Sequence, residues 1–369
     1  MKAIIMASGL LLMACFMGCG GSNNNGSVSS TTQLVYATGQ GANNVSGFTS
    51  NTSGVLRPLS TAMFPTGNAP SSVVVHFSKQ FAYVADSGDN DVRLFSVDPK
   101  TGLFTPLGSP LSPIPVGTKP IAMLLNGTSS VLFVLNQGSA SISAFTLDPN
   151  TGALTAVPGS PFPAPANATG MALARNQNFL YVIAPGSPNA TITGYSASPA
   201  GILNQFVSPN GPFTAGQAAG GIAVDPTGRF LYASDPASNN ILGFSVQAAT
   251  GALAPVSGSP FAAGTMPVSL TIDGSSTLLF AANQGSNNIS AFTITSSSGV
   301  LNTVNGSPFA AGTAPVYLTV DSNSTALYVA NQGSSNISAF GLNSGGALTP
   351  VVGSPFSVGA APSWIFTVH

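Results

Sequence analysis

Three carboxylates within six residues, Asp86, Asp89 and Asp91 in the run DSGDND, are the densest acidic group in the sequence. A carboxylate can take a proton from water, and an ammonium can balance negative charge that develops in a transition state. Lys119 and Asp235 are the further charged residues that the repeat register brings to the same end of the molecule. Short acidic loops also bind Ca²⁺, so Asp86, Asp89 and Asp91 have a second reading as calcium ligands. The run lacks the spacing and the closing Glu of an EF-hand loop, and no metal site is assigned. Around these charges stand amides in recurring Asn-Gln-Gly and Asn-rich loops: Asn136, Gln137, Asn239, Asn283, Gln284, Asn331 and Gln332. Such groups can hydrogen-bond a sugar or a peptide, and they are also residues that turns favour for their own geometry. Both histidines, His76 and His369, follow an apolar run at the turn position that Asp225, Asp273 and Asp321 hold elsewhere, so both read as turn residues.

The elements that carry these residues repeat. An aromatic recurs seven times at intervals of 47 to 51 residues, as Tyr36, Tyr83, Phe133, Tyr181, Tyr232, Phe280 and Tyr328. A second follows each at a near-constant offset: Phe48, Phe95, Phe145, Tyr195, Phe244, Phe292 and Phe340. In the sixth copy, residues 267–273, 278–283 and 288–295 read as three strands, and a fourth opens near residue 299 and ends at Ser307-Pro308-Phe309. Short runs of this kind separated by turn residues indicate antiparallel strands, and four per repeat make one blade of a β-propeller. The first copy begins at its second strand, whereas residues 362–368 form an orphan first strand. Joining the two predicts an all-β, seven-bladed propeller over residues 34–369, closed by the C-terminal strand in the N-terminal blade. In that register the DSGDND and Asn-Gln-Gly loops join second to third strands, at the mouth opposite the histidine turns.

Composition narrows the function. Charged residues are 5% of the chain, there is no Glu, and the net charge is −1. The eight Lys and Arg are scattered, which excludes a nucleic-acid surface. Residues 1–18 have a positive start and an apolar run and read as a signal peptide. Phe16-Met17-Gly18-Cys19 resembles a bacterial lipobox with Cys19 as the lipidated residue, and Leu12-Met13-Ala14-Cys15 competes with it. Residues 19–33 then form a flexible tether. The expectation is an exported, lipid-anchored monomer of the cell envelope, held at the outer membrane, with no cofactor.

The runs Leu231-Tyr232-Ala233-Ser234-Asp235 and Leu327-Tyr328-Val329-Ala330-Asn331 resemble the lactonase-like seven-bladed propellers. So do Asn-Ile-Ser-Ala-Phe at 288–292 and 336–340 and Thr-Gly-Ala-Leu at 151–154 and 250–253. That family includes one type of 6-phosphogluconolactonase and the YVTN-repeat surface proteins. The resemblance implies the blade and, by analogy alone, ester hydrolysis. With no Glu and no histidine at the mouth, the residues themselves favour a non-catalytic platform that binds a glycan or an envelope protein. The alternative is a lactonase for an unphosphorylated sugar or related lactone, with Asp86, Asp89, Asp91 or Asp235 as base and Lys119 as oxyanion partner. A structural surface-layer repeat is the third reading.

Overall fold

The computed structural model describes residues 32–109, 112–174, 178–207 and 211–368. The signal segment, Cys15, Cys19, most of the tether and His369 lie outside the described residues. Among the described residues there is no helix long and apolar enough to cross a membrane.

The strands form seven antiparallel sheets arranged as the blades of a propeller. Blade 1 joins the two ends of the chain: Gln33–Gly39, Asn44–Ser50 and Leu56–Pro65 are its outer three strands, and Pro362–Thr367 is the innermost. Tyr36 pairs with Phe366 across this seam. Blades 2 to 7 follow in chain order, with inner strands at Pro70–Val75, Pro120–Leu125, Gly170–Ala174, Ile222–Val224, Pro267–Ile272 and Pro315–Val320. Each inner strand packs against those of the blades on both sides, through the whole circle. Closure removes the free sheet edges that an open array would expose.

The second strands explain the aromatic period. Runs such as Phe81–Asp86, Leu278–Asn283 and Ala326–Asn331 are buried at every residue, because both faces of a blade lie against neighbours. This is why they read as continuous apolar runs rather than alternating ones. Where the centre of the run is tyrosine, its hydroxyl crosses to the next blade. Tyr36 donates to Gly102 O at 2.6 Å, and Tyr83, Tyr181 and Tyr232 donate to Gly152, Gly251 and Gly299 O at 2.8 Å each. Those acceptor glycines have φ between 71° and 74°, which a residue with a Cβ adopts at a cost. Tyr328 closes the ring on Ser50 Oγ at 2.5 Å.

The outer strand differs from the single run read from the sequence. It is split into two short pieces on the same third strand, for example Leu301–Thr303 and Phe309–Ala310 on Asn288–Ile294. Between the pieces the chain leaves the sheet, and in blades 2, 3, 5, 6 and 7 the Ser of a Ser-Pro accepts a ladder N–H in place of a backbone carbonyl. Ser160 accepts from Ala144 N, Ser307 from Ala291 N and Ser354 from Ala339 N, all at 2.9 Å. A side-chain oxygen thus satisfies a donor that the broken strand would leave open.

Tyr83→Phe tests the inter-blade bond with little change of shape. Phe133 shows that a blade accepts an aromatic without the hydroxyl. Leaving Gly152 O without its donor should cost about 1–2 kcal/mol, read as a lower urea midpoint with unchanged slope. An unchanged midpoint would mean that the hydroxyl contributes nothing beyond the ring.

Candidate functional site

The mouth is built from a device that recurs at the end of the second strand. In blade 7, Asn331 is fully buried, accepts from Gly312 N at 3.1 Å, and donates to Asn336 Oδ1 and Ser338 Oγ at 2.8 Å. Asn283 in blade 6 donates to Asn288 Oδ1 and Ser290 Oγ, and Asn136 in blade 3 to Ser141 and Ser143. Each amide lies beneath the glycine of the loop entering its own blade. A Cβ on Gly264 would fall 2.6 Å from Asn283 Nδ2, so the close approach requires glycine. Asp235 does the same work in blade 5: it is 3% exposed and accepts from Gln217, Ala218 and Ala237 N at 2.8, 2.9 and 3.2 Å. Burial pushes Asp235 up, but the surrounding N–H donors prevail and hold it below the usual carboxylate range.

Blade 2 carries the charged version. Asp86 is fully buried, accepts from Thr66 Oγ1 at 2.9 Å and from Gly67 N at 2.9 Å, and faces Arg93 Nε at 3.1 Å. Arg93 Nη2 meets Asp89 Oδ2 at 3.0 Å, and Arg93 Nε lies 3.7 Å from Asp91 Oδ1. Arg93 stands where Ser143, Ser290 and Ser338 stand in the neutral blades, and Asp91 where Ser141, Asn288 and Asn336 stand. The sequence reading gathered the three acids but missed this arginine. Extending the repeat register two residues past Asp91 would have found it.

The three acids differ in state. Burial pushes Asp86 up to about 7 against the pull of Thr66, Gly67 and Arg93. Burial likewise raises Asp91, whose Oδ1 is buried without a hydrogen-bond partner while 12% of the side chain stays exposed. Asp89 is lowered, chiefly by the backbone and side-chain N–H groups of Asn68. The calcium reading meets the guanidinium at the point on which these acids converge. Among the described residues no group of three acidic or histidine side chains is arranged to hold a metal ion.

The candidate residues separate into two groups. Lys119 is exposed and tied to the cluster, since its backbone N donates to Asn90 Oδ1 at 2.7 Å in the DSGDND loop. Asp86, Asp89, Asp91 and Lys119 therefore lie together at the junction of blades 2 and 3. Asp235 belongs to blade 5, three blades round the ring from Asp86. The amides are mostly committed to the scaffold. Gln137 donates to Ala168 O, and Asn239 Oδ1 accepts from Met266 N, both at 2.9 Å. Gln284 and Gln332 stay half-buried. His76 is buried at the opposite end, with Nδ1 against Ser78 Oγ, in the turn position that Asp225, Asp273 and Asp321 fill elsewhere.

The central channel holds a chamber of about 590 Å³ that reaches from Gln40 at this mouth to Asp225 at the far end of an inner strand. It is lined by the inner strands and Gln40, and none of the four clustered charges lines it. A second chamber of about 350 Å³ lies toward the histidine end.

The fold and its sequence define the class. The profile of the Lactonase, 7-bladed beta-propeller family matches residues 27–167 and 171–311, and the chain belongs to that family. Among solved structures it is similar to two proteins provisionally assigned as 6-phosphogluconolactonases. The Bacteroides uniformis protein has a TM-score of 0.75 at 19% identity, over 92% of this chain and 100% of the other. The Bacteroides fragilis protein has a TM-score of 0.72 at 18% identity, over 92% and 99%. The periplasmic gluconolactonase PpgL of Pseudomonas aeruginosa has a TM-score of 0.73 at 18% identity, over 92% and 99%. At such identities the likeness is one of fold. No curated protein matches the sequence. The family membership overturns the expectation of a lipid-anchored binding platform without catalysis. That expectation weighed the missing Glu and mouth histidine, and overlooked that burial beside an arginine retunes aspartates.

A pH series on Asp86 tests its state. Its pKa in the folded chain, about 7, lies above the ordinary 3.8, so its contribution to stability is complete below about pH 4 and is lost as pH rises through 7. Asp86→Asn, which copies blades 3, 6 and 7, should remove that decline, so the wild-type and variant stability curves converge at acid pH, diverge between about pH 4 and 7 and stay apart above neutrality. Parallel curves would show that Asp86 is ionised throughout, balanced by Arg93.

Proposed function

We propose that this chain is a lactonase that hydrolyses an unphosphorylated sugar lactone or a related neutral lactone. The observation that carries this reading is the lactonase family match, which covers most of the ring. The groups best suited to the chemistry are at the junction of blades 2 and 3. Asp91 combines a pKa raised by burial with partial exposure of its side chain beside Arg93, as a general base at the edge of a cationic group requires. In this mechanism Asp91 takes a proton from water as the water oxygen bonds to the lactone carbonyl carbon. Arg93 and Lys119 balance the oxyanion that forms. Collapse breaks the ring C–O bond, the proton passes to the departing alkoxide, and the product is the open hydroxy acid. Asp86 and Asp89 hold Arg93 in place. The arginine is already shared among three carboxylates, which leaves little positive charge for a phosphate. The export signal expected at residues 1–18 points the same way, away from phosphorylated cytoplasmic sugars.

Hydrolysis of glucono-1,5-lactone and of its 6-phosphate by the purified chain tests this reading. Turnover should favour the neutral lactone. Asp91→Asn should lower kcat by about 10²–10⁴-fold without unfolding the chain, and the pH profile should fall on the acid side at a pKa above the usual carboxylate value. Lys119→Met should lower kcat by roughly tenfold. A folded chain that hydrolyses no lactone would overturn the proposal. Full turnover in Asp91→Asn would move the base elsewhere.

A further inference from the structure

We infer that the 590 Å³ chamber of the central channel is a binding site for an uncharged, polyhydroxylated ring that rests on Trp364. The inference rests on the lactonase reading for the identity of the natural ring, and on the chamber itself for everything else. The volume falls within the range of small-molecule sites. Its floor is aromatic: Trp364 and Tyr317 stack with centroids 4.2 Å apart and planes 26° apart. Both residues line this chamber and the second one, so the stacked pair stands between the two.

The polar groups are arranged in a complementary way. At the rim, Ser71, Thr169 and Ser363 donate their hydroxyl protons to the next blade, to Pro120 O at 2.7 Å, Gly220 O at 2.8 Å and Pro70 O at 3.2 Å. With their protons committed, these hydroxyls have lone pairs to offer, and a polyol brings hydroxyl donors to meet them. At the floor the indole Nε1 of Trp364 is buried and donates to no acceptor, although a buried indole N–H ordinarily finds one. That nitrogen is sealed from the chamber, so it is the indole face that a ligand meets. A face of C–H bonds against the indole and hydroxyls around the edge is the chemistry of a sugar or sugar lactone.

Charge sets the limit on the ligand. Among the described residues no Lys or Arg lines the chamber, and its one carboxylate, Asp225, is bound to Phe230 N at 2.7 Å and to the Thr227 hydroxyl. A phosphorylated ring would lose water around a dianion with no cation in return.

Trp364 is the only tryptophan in the chain, so its emission reports directly on this chamber. The full chain is titrated with glucono-1,5-lactone, with methyl β-D-glucoside as a neutral ring that is no lactone, and with glucose 6-phosphate. Both neutral rings should change the emission saturably, and the phosphate should bind at least tenfold more weakly. Tyr317→Leu should weaken the neutral rings at least fivefold. Ser363→Ala, a smaller change that spares the core, should weaken them at least twofold, which guards against misfolding of the first variant. Unchanged emission with every neutral ring, or phosphate binding as tight as theirs, overturns the inference. The two readings separate cleanly. Lactone turnover without any saturable change in Trp364 emission keeps the lactonase and removes the chamber. Saturable binding without turnover keeps the chamber and removes the lactonase.

Discussion

The inter-blade tyrosine is the constraint on which the ring depends. A blade is an ordinary four-stranded sheet with two apolar faces, and by itself it has no reason to meet its neighbour at one angle. The hydroxyl at the middle of the second strand supplies that reason. It reaches across the apolar interface to a carbonyl in a tight turn of the next blade, as Tyr83 does to Gly152 and Tyr232 to Gly299. A buried carbonyl left open costs more than a typical hydrogen bond returns, so each bond selects one docking and disfavours others. Summed round the circle, these angles close the ring, and closure lets the C-terminal strand complete a blade that the N-terminus leaves unfinished. Phe133 and Phe280 keep only the apolar part of the contact. Packing therefore suffices at some interfaces once the others have set the geometry.

The same economy explains the mouth. Loops that enter the inner strands must turn sharply at a glycine, and their N–H groups would be buried without partners. An Asp or Asn at the end of the second strand meets this need in blades 2, 5 and 7, while serines accept the loop N–H groups in blades 3 and 6, where the buried Asn donates to the third strand. A ring of amides that looks like a recognition surface is thus largely the framework of its own loops. Its buried donors are already engaged, and what remains for a ligand lies at the rim and in the channel. The channel is lined by inner strands whose residues differ from blade to blade, so it can be shaped without disturbing the repeat.

Architecture was legible because repetition averages out local ambiguity. One aromatic run could be helix or strand, but seven copies with turn residues between them admit little besides blades, and the unmatched end strands fix the closure. The interruption of the outer strand was hidden, since Ser-Pro reads as a strand end whether or not the chain returns to the same sheet. The site was legible only in part. Asp86, Asp89 and Asp91 flank one loop, to which the Lys119 backbone is bonded, and sequence proximity and the register both put them at one mouth. Asp235 was grouped with them because the register gives an axial position but says nothing of the distance across the ring. Arg93 was missed because it lies within a strand, where the eye seeks pattern, while the acids sit in and at the ends of a loop, where it seeks chemistry. Trp364 and Tyr317 were read as strand residues. Their stacking needs blades 1 and 7 to be adjacent, which only the closed ring provides.

The contrast among blades at one register position separates scaffold from function. Blades 3, 6 and 7 hold their mouth loops with a neutral trio, such as Asn331, Asn336 and Ser338. Blade 5 uses an aspartate satisfied by backbone N–H groups alone. Either solution would serve blade 2. Instead it buries Asp86 and Asp91 against Arg93 and adds Asp89, in a chain whose charged residues are only 5% of the whole. Burial of like charges works against stability, and replacement by the neutral trio would relieve it. A fold that has a neutral solution at three positions and a charged one at a fourth does not need the charge to fold. Groups that cost stability and raise the Asp86 and Asp91 pKa values above the usual carboxylate range are the physical ground for proposing chemistry at this place.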